Sequence, residues 1–346
     1  RLPKLLAQLH TSQKALSTQN LTRSFGWSQE QVYMQQDAAE FCIQLLDYIQ
    51  SKLKNTVYSK IFDDMFKTVT KTFYRGVNVN FEESSEDNFF LLSAVVKNFS
   101  ELNESLRSMT SKQHLEGKNK YYSQRYGEQD VILETKFVKF PKILLVHLKR
   151  FEYNPDTNRN RKINSILMFD KELNLSNLLV SKKSENEAEF ELHSVVVDSG
   201  DADGGHYYVF IRPGRSNRWY KFNDSSVTLV DENEAIENNF GGPDLNENQS
   251  TSFFSKRIFG SFGSSERSFS AYMLVYVRKD SLGEIFCDLE NEKIDRFLVQ
   301  NDEDEYDMLN QIQINIVDDR CLAKNALKGR LSFNISKKNT ITVFGL

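Results

Sequence analysis

Apolar residues recur at helical spacing at the start of the chain. Leu2, Leu5, Leu6 and Leu9 share one face of a 3.6-residue period, and Phe41, Cys42, Leu45, Leu46 and Ile49 do so again within MQQDAAEFCIQLLDYIQSKL at 34–53. A helical amino-terminal part is therefore predicted. From about 57 to 135 the pattern changes to β-branched and aromatic runs, among them TVTKTFYRGVNVNF and NFFLLSAVV, broken by acidic clusters and by the helix-like NFSELNESLRSM. This predicts an extended mixed subdomain. Five more strands are predicted in KFPKILLVHLKRF, FELHSVVVDSG, HYYVFIR, RWYKFND and AYMLVYVRK; polar turns separate them, and they suit one largely antiparallel sheet. The Gly-, Ser- and Asn-rich stretch 238–270 reads as a mobile surface insertion. After Asp280, an acidic helical stretch and two strand-like pieces, QIQINIVDD and TITVFGL, stand apart from that sheet, so 281–346 is expected to be a linker helix and the opening of a second, incomplete domain.

Composition narrows the partners more than the fold. The 346 residues carry 44 basic and 48 acidic side chains, a formal charge of -4, which argues against a nucleic-acid footprint or a polybasic membrane anchor. The apolar run ILLV at 143–146 is far shorter than a membrane span. Cys42, Cys287 and Cys321 form no CxxC pair, so neither a zinc ribbon nor a disulfide framework is expected, no metal or other cofactor is implied, and a reducing cytoplasmic or nuclear compartment fits. The first residues, RLPKLLAQLH, and the last, ITVFGL, both look cut inside ordered structure.

Candidate chemistry centres on GDADGGHYYVFIRPGRSNRWYKFNDSS at 200–226. HYYVFIR and RWYKFND read as a hairpin turning through Pro213, Gly214, Arg215, Ser216 and Asn217, and simple register sets His206 opposite Asn223, with a one-residue bulge able to bring Asp224 instead. Either side chain could accept the imidazole Nδ1 proton and fix the tautomer. Gly204 and Gly205 would let backbone approach a bound chain. Two readings stand side by side: half of a catalytic triad, or a histidine that opens a strand near two turn-forming residues. His147 and His193 sit within apolar strands and are expected to be satisfied core residues, while His10 and His114 carry no signal. Cys42 shares a face with Leu45, Leu46 and Ile49 beyond the first turn of a helix begun at Asp37, which suits a small hydrophobe better than a reactive thiolate.

MQQDAAEF at 34–41, FPKILLVHLKRFEYN at 140–154, KINSILMFDKEL at 162–173, GGHYYVFI at 204–211, RWYKFND at 218–224 and AYMLVYVR at 271–278 come one after another in an order that resembles the ubiquitin-specific proteases, the papain-like cysteine deubiquitinases. The resemblance implies an α+β fold and a catalytic domain over 1–280, with a helical thumb at 1–56, β-rich fingers at 57–135 and an antiparallel palm at 136–280. LTRSFGW ahead of MQQDAAEF and the strand-rich tail are most similar to the herpesvirus-associated branch, in which ubiquitin-like domains come after the catalytic one; 281–346 would open such a domain.

By the same resemblance His206 is the general base, Asn223 the third triad member and Asp224 the acid beside it. Asp37, Phe151, Tyr153 and Tyr207 would line the channel for ubiquitin's arginine-bearing tail, although Asp37 with Glu40 is also a helix capping box. NPDTNRNR at 154–161 and DSGDADGG at 198–205 correspond to mobile loops bordering that channel, and the acidic FEESSEDNFF reads as a solvated run more than a contact patch. The family's cysteine box lies ahead of the segments found here, and residues 1–30 align just after it. The expectation is a deubiquitinase fragment without its nucleophile, the alternatives being an inactive ubiquitin-binding module or a peptidase using Cys42.

Overall fold

A computed structural model describes residues 2–11, 16–24, 36–181, 187–202, 204–214, 216–243, 267–286, 315–317 and 330–332. The chain divides into two units, Arg1–Ile61 with Ser281–Leu346, and Phe62–Asp280.

The first unit holds the predicted helices: α1 (Leu2–Thr11), α2 (Gln19–Ser24), α3 (Ala38–Leu53) and the first residues of α4 (Ser59–Phe66). Asp37 starts α3 from extended backbone, its Oδ1 accepting the Glu40 N–H at 2.8 Å. The helix buries Ala39, Leu46 and Leu53, spaced seven apart, and Asn55 lies just beyond it at φ 71, a left-handed position that asparagine tolerates. The same unit contains the short helix Leu282–Ile285 and an antiparallel pair, Asn315–Val317 with Arg330–Ser332. TITVFGL, Cys287, Cys321 and residues 244–266 of the expected insertion lie outside the described residues.

The second unit is built from strands. In chain order these are β1 (Thr68–Gly76), β2 (Glu82–Phe89), β3 (Leu91–Val95), β4 (Gln113–Leu115), β5 (Tyr121–Ser123), β6 (Gly127–Gln129), β7 (Val131–Lys139) and β8 (Ile143–Lys149). Next come β9 (Phe151–Asn154), β10 (Arg159–Lys162), β11 (Glu172–Asn174), β12 (Glu189–Asp201), β13 (Gly204–Ile211), β14 (Trp219–Asn223), β15 (Ser226–Val230) and β16 (Phe269–Arg278). The eight-stranded main sheet runs β15-β14-β13-β12-β16-β8-β3 with β11 beside β12, and it includes all five strands predicted for it. Every pairing in it is antiparallel except β3 with β8.

The stretch 57–135 distributes itself over three sheets, β5 and β6 pairing only with each other. β1 and β2 join β7 and β4 in a four-stranded sheet, whereas β3 enters the main sheet and α5 (Leu102–Ser108) packs beside it, burying Leu102 and Leu106. One apolar cluster unites Leu144, Val146 and Leu148 of β8, Phe190, Val195 and Val197 of β12, Phe210, Trp219 and Tyr276. Arg150, fully buried between β8 and β9, donates to the carbonyls of Ala271, Ile163, Ser165 and Phe240 at 2.7–3.0 Å, and burial pushes its guanidinium down to about 10.

The β12–β16 ladder carries two irregularities. Leu192 pairs with Tyr276 and Ser194 with Val275, so His193 is an extra residue; Val196 pairs with Met273 and Val197 with Ala271, so Tyr272 is another. Bulges of this kind re-aim a side chain.

Candidate active site

His206 lies near the start of β13 and Asn223 ends β14. The ladder between these strands pairs Val209 with Phe222, Phe210 with Lys221 and Ile211 with Tyr220, two residues away from the register expected of a simple hairpin. Continued one step, it sets Asn223 across from Tyr208 and diagonal to His206. Because strand side chains alternate with period two, a shift of two keeps both groups on one face, and they still meet: His206 Nε2 lies 2.6 Å from Asn223 Oδ1. The nitrogen engaged is Nε2, not the Nδ1 expected from sequence. With Nε2–H donated to the amide oxygen, Nδ1 is left as the basic nitrogen.

Asp224 occupies a left-handed conformation, φ 51, in the turn to β15, where a short acidic side chain is tolerated. Its Oδ2 lies 3.8 Å from His206 Nε2, with 80 % of its side chain exposed, so it adds negative charge near the ring without a hydrogen bond. Tyr208, two residues past His206 on the same face, supports that ring at a centroid distance of 6.4 Å. Lys221 Nζ sits 4.6 Å from the Tyr208 ring centre, and burial, with smaller contributions from Glu234 and Asp198, pushes the Tyr208 phenol up to about 12.

Tyr207 and Phe151 converge on Tyr272, the bulged residue of β16, at centroid distances of 5.5 and 6.0 Å; His147 stacks edge-on to the same ring at 4.8 Å. Sequence reasoning missed Tyr272, because AYMLVYVR is apolar at almost every position and carries no mark of a bulge. Tyr153 stands two residues beyond Phe151, 60 % exposed, and its hydroxyl donates to Asn158 Oδ1. Asp37 belongs to the first unit, as the cap of α3, so the capping role weighed for it is realised.

Three other expectations are revised. DSGDADGG is not an open loop: Ser199 pairs with His206, Gly200 with Gly205 and Asp201 with Gly204, leaving the chain reversal itself at 202–203, of which Asp203 lies outside the described residues. NPDTNRNR is likewise a hairpin, β9 pairing with β10 from Asn154–Arg159 to Phe151–Lys162. Of the two glycines, Gly204 has open space where a Cβ would be, but a Cβ on Gly205 would lie 2.9 Å from Asp198 Oδ1, so Gly205 makes room for this protein's own carboxylate.

Cys42 shows no activation. It lies on the less exposed side of α3 with Ala39 and Leu46, and burial pushes its thiol up to about 11. His147 and His193 are half-buried; His193 Nδ1 lies 2.5 Å from Ser194 Oγ, and burial, then the nearby Arg212 charge, lowers its imidazole to about 4. Among the described residues no group of acidic, histidine and cysteine side chains is arranged to hold a metal, and no helix is long and apolar enough to cross a membrane. A cavity of 670 Å³ opens elsewhere in the second unit, lined by Glu101, Phe169, Asp231, Glu237 and Phe240 among others, and by none of the seven predicted site residues.

In comparisons with known proteins, the profile described as ubiquitin carboxyl-terminal hydrolase matches residues 1–276. The chain is 34 % identical over 300 residues to ubiquitin carboxyl-terminal hydrolase 7 of Drosophila melanogaster, covering 86 % of this chain and 25 % of that protein. It is 34 % identical over 306 residues to ubiquitin carboxyl-terminal hydrolase 15 of Schizosaccharomyces pombe, covering 88 % and 26 %, and 32 % identical over 298 residues to ubiquitin C-terminal hydrolase 12 of Arabidopsis thaliana, covering 85 % and 26 %. The chain thus spans about a quarter of the length of the curated relatives it matches. Among solved structures, a chain of the SAGA DUB module Ubp8/Sgf11/Sus1/Sgf73 bound to monoubiquitin aligns with TM-score 0.57 and 25 % identity over 74 % of this chain and 52 % of its own. The α+β, papain-like fold of the ubiquitin-specific proteases is the fold of this chain.

Proposed function

The chain belongs to the ubiquitin carboxyl-terminal hydrolase family, and from that membership we propose that it is the base-bearing part of a cysteine-type deubiquitinase, cleaving after the C-terminal glycine of ubiquitin on conjugated proteins. The observation that carries the proposal is the 2.6 Å contact between His206 Nε2 and Asn223 Oδ1, which leaves Nδ1 basic. In the reaction a thiolate attacks the glycine carbonyl, the amine of the modified protein departs with a proton delivered from Nδ1, and water then hydrolyses the thioester as Nδ1 takes a proton back. Asn223 holds the ring through both steps.

Phe151, Tyr153 and Tyr207 receive ubiquitin's tail. That a structural relative is bound to monoubiquitin supports ubiquitin as the partner. LTRSFGW, MQQDAAEF and the lack of CxxC pairs support a place in the herpesvirus-associated branch.

Cys42 is not assigned the attack, since burial keeps its thiol protonated. The polypeptide of 346 residues is therefore proposed to hold ubiquitin without cleaving it, the nucleophile belonging to the family's cysteine box. A purely ubiquitin-binding role is the alternative, and the preserved His206–Asn223 pair favours the enzyme. A ubiquitin carrying a fluorophore amide at its C-terminus separates them. The chain should bind it without releasing fluorophore, and addition of a cysteine-box segment should confer release that His206→Ala abolishes. Binding with no release under either condition leaves the binding role, and no binding at all removes both.

A further inference from the structure

Lys162 ends the β9–β10 hairpin with its ammonium inside the protein. Only 4 % of its side chain and 3 % of that of Asp198 are exposed. Nζ donates to Asp198 Oδ2 at 2.6 Å, to the Gly200 carbonyl at 2.8 Å, to the Ser268 carbonyl at 3.1 Å and to the Asp198 carbonyl at 3.2 Å. Three N–H groups meeting four acceptors is full satisfaction for an ammonium. An apolar pair of similar volume commonly packs in such a place with no loss of stability, so stability alone does not account for two charges here.

The acceptors identify what the charges join. Asp198 and Gly200 belong to β12 at its pairing with β13, Ser268 precedes β16, and Lys162 itself belongs to the hairpin of Phe151 and Tyr153. Gly200 N–H also donates to the Ser268 carbonyl at 2.9 Å, and Gly205 opens the space that the Asp198 carboxylate fills. Asp198 pairs with Tyr207 and so shares its face of the sheet, and Lys162 Nζ lies 6.0 Å from the Phe151 ring centre. The residue after Gly205 is His206.

We infer that Lys162 is a positioning residue. Through Asp198 it locks the hairpin that carries His206 and Tyr207 to the hairpin that carries Phe151 and Tyr153, and so holds the walls that receive ubiquitin's tail at one spacing. The inference rests on the tail-binding role proposed for Phe151, Tyr153 and Tyr207.

The test compares the full chain with Lys162→Met/Asp198→Leu, in which both charges leave together and neither is stranded. Melting temperature reports folding. Affinities for ubiquitin and for ubiquitin lacking its C-terminal tail, taken as a ratio, report the channel alone. The double variant should melt near the wild type while the ratio falls by about tenfold; a folded double variant with the wild-type ratio overturns the inference. Should the double variant melt below the assay temperature, Asp198→Asn carries the same readout, since it keeps the shape and all three backbone acceptors. A several-fold drop in its ratio supports the lock and an unchanged ratio overturns it. Equal affinity of the wild-type chain for the two ubiquitins instead removes the tail-binding role, an outcome distinct from failure of the lock.

Discussion

His206 draws its chemistry from one neighbour. An imidazole whose side chain is 46 % exposed is free to rotate unless something holds it, and the Asn223 amide at 2.6 Å holds Nε2. Asp224, at 3.8 Å and in water, contributes charge without fixing direction. The two should therefore separate on substitution. Asn223→Ala should relax the tautomer ratio of His206, read from its ¹⁵N chemical shifts, toward that of an unconstrained imidazole, in which Nε2–H still predominates but less completely, while Asp224→Ala should leave the ratio as it is. Neither should change folding stability by more than about 1 kcal/mol, because both act at the surface. A tautomer ratio in Asn223→Ala identical to that of the wild type would show that the amide does not set the ring.

Hairpins are the elements on which this site is carried, and their glycines show which turns are constrained. Gly200 sits at φ +131, and a Cβ there would lie 2.6 Å from both the Gly204 carbonyl oxygen and the Gly205 Cα, backbone that cannot step aside. Gly214, in the β13–β14 turn, sits at φ +59 with nothing within 4 Å. Gly200→Ala should cost more than about 2 kcal/mol in denaturant unfolding, against about 1 kcal/mol for Gly214→Ala, where only the left-handed backbone is penalised. Equal costs would mean that the β12–β13 hairpin relaxes around the added methyl.

The contrast also marks what the sequence carried at this scale. Alternation placed the strands, and the Pro-Gly turn brought His206 and Asn223 to one face, since a two-residue error in register leaves the face unchanged. The β12–β13 connection was not legible, because SGDADGG has the composition of a loop while its ends satisfy a ladder. Tyr272 and the Lys162–Asp198 pair were hidden for a related reason: bulges and buried charges depend on residues distant in the chain, and local periodicity does not contain them.

At the scale of the folded unit, the bulge at His193 couples stability to pH. Burial beside Arg212, whose N–H donates to the His193 carbonyl at 2.9 Å and whose guanidinium pairs with Glu191 at 2.8 Å, leaves no favourable place for an imidazolium, and the folded-state value falls from 6.5 to about 4. The unfolded chain binds this proton below 6.5 and the folded chain only below about 4, so stability is fully present above 6.5 and is lost as the pH drops toward 4. The loss amounts to at most about 3 kcal/mol, at 1.36 kcal/mol per unit. Among the described residues four carboxylates are held below the ordinary range: against the opposing effect of its burial, Glu134 by Arg75; Glu83 by Ser123 and Tyr121; Glu152 by Lys97; and Glu172 by Lys279. They lose their stabilisation only under more acid conditions, below about 4.5. Between pH 6.5 and 4.5 His193 is thus the dominant source of this dependence among the shifted groups. Urea unfolding of the full chain at pH 7, 5.5 and 4.5 should show the decline, and His193→Phe, which fills the same space without a titrating nitrogen, should flatten it by more than half. A slope in His193→Phe equal to that of the wild type would place the proton uptake elsewhere and leave the bulge a purely geometric feature.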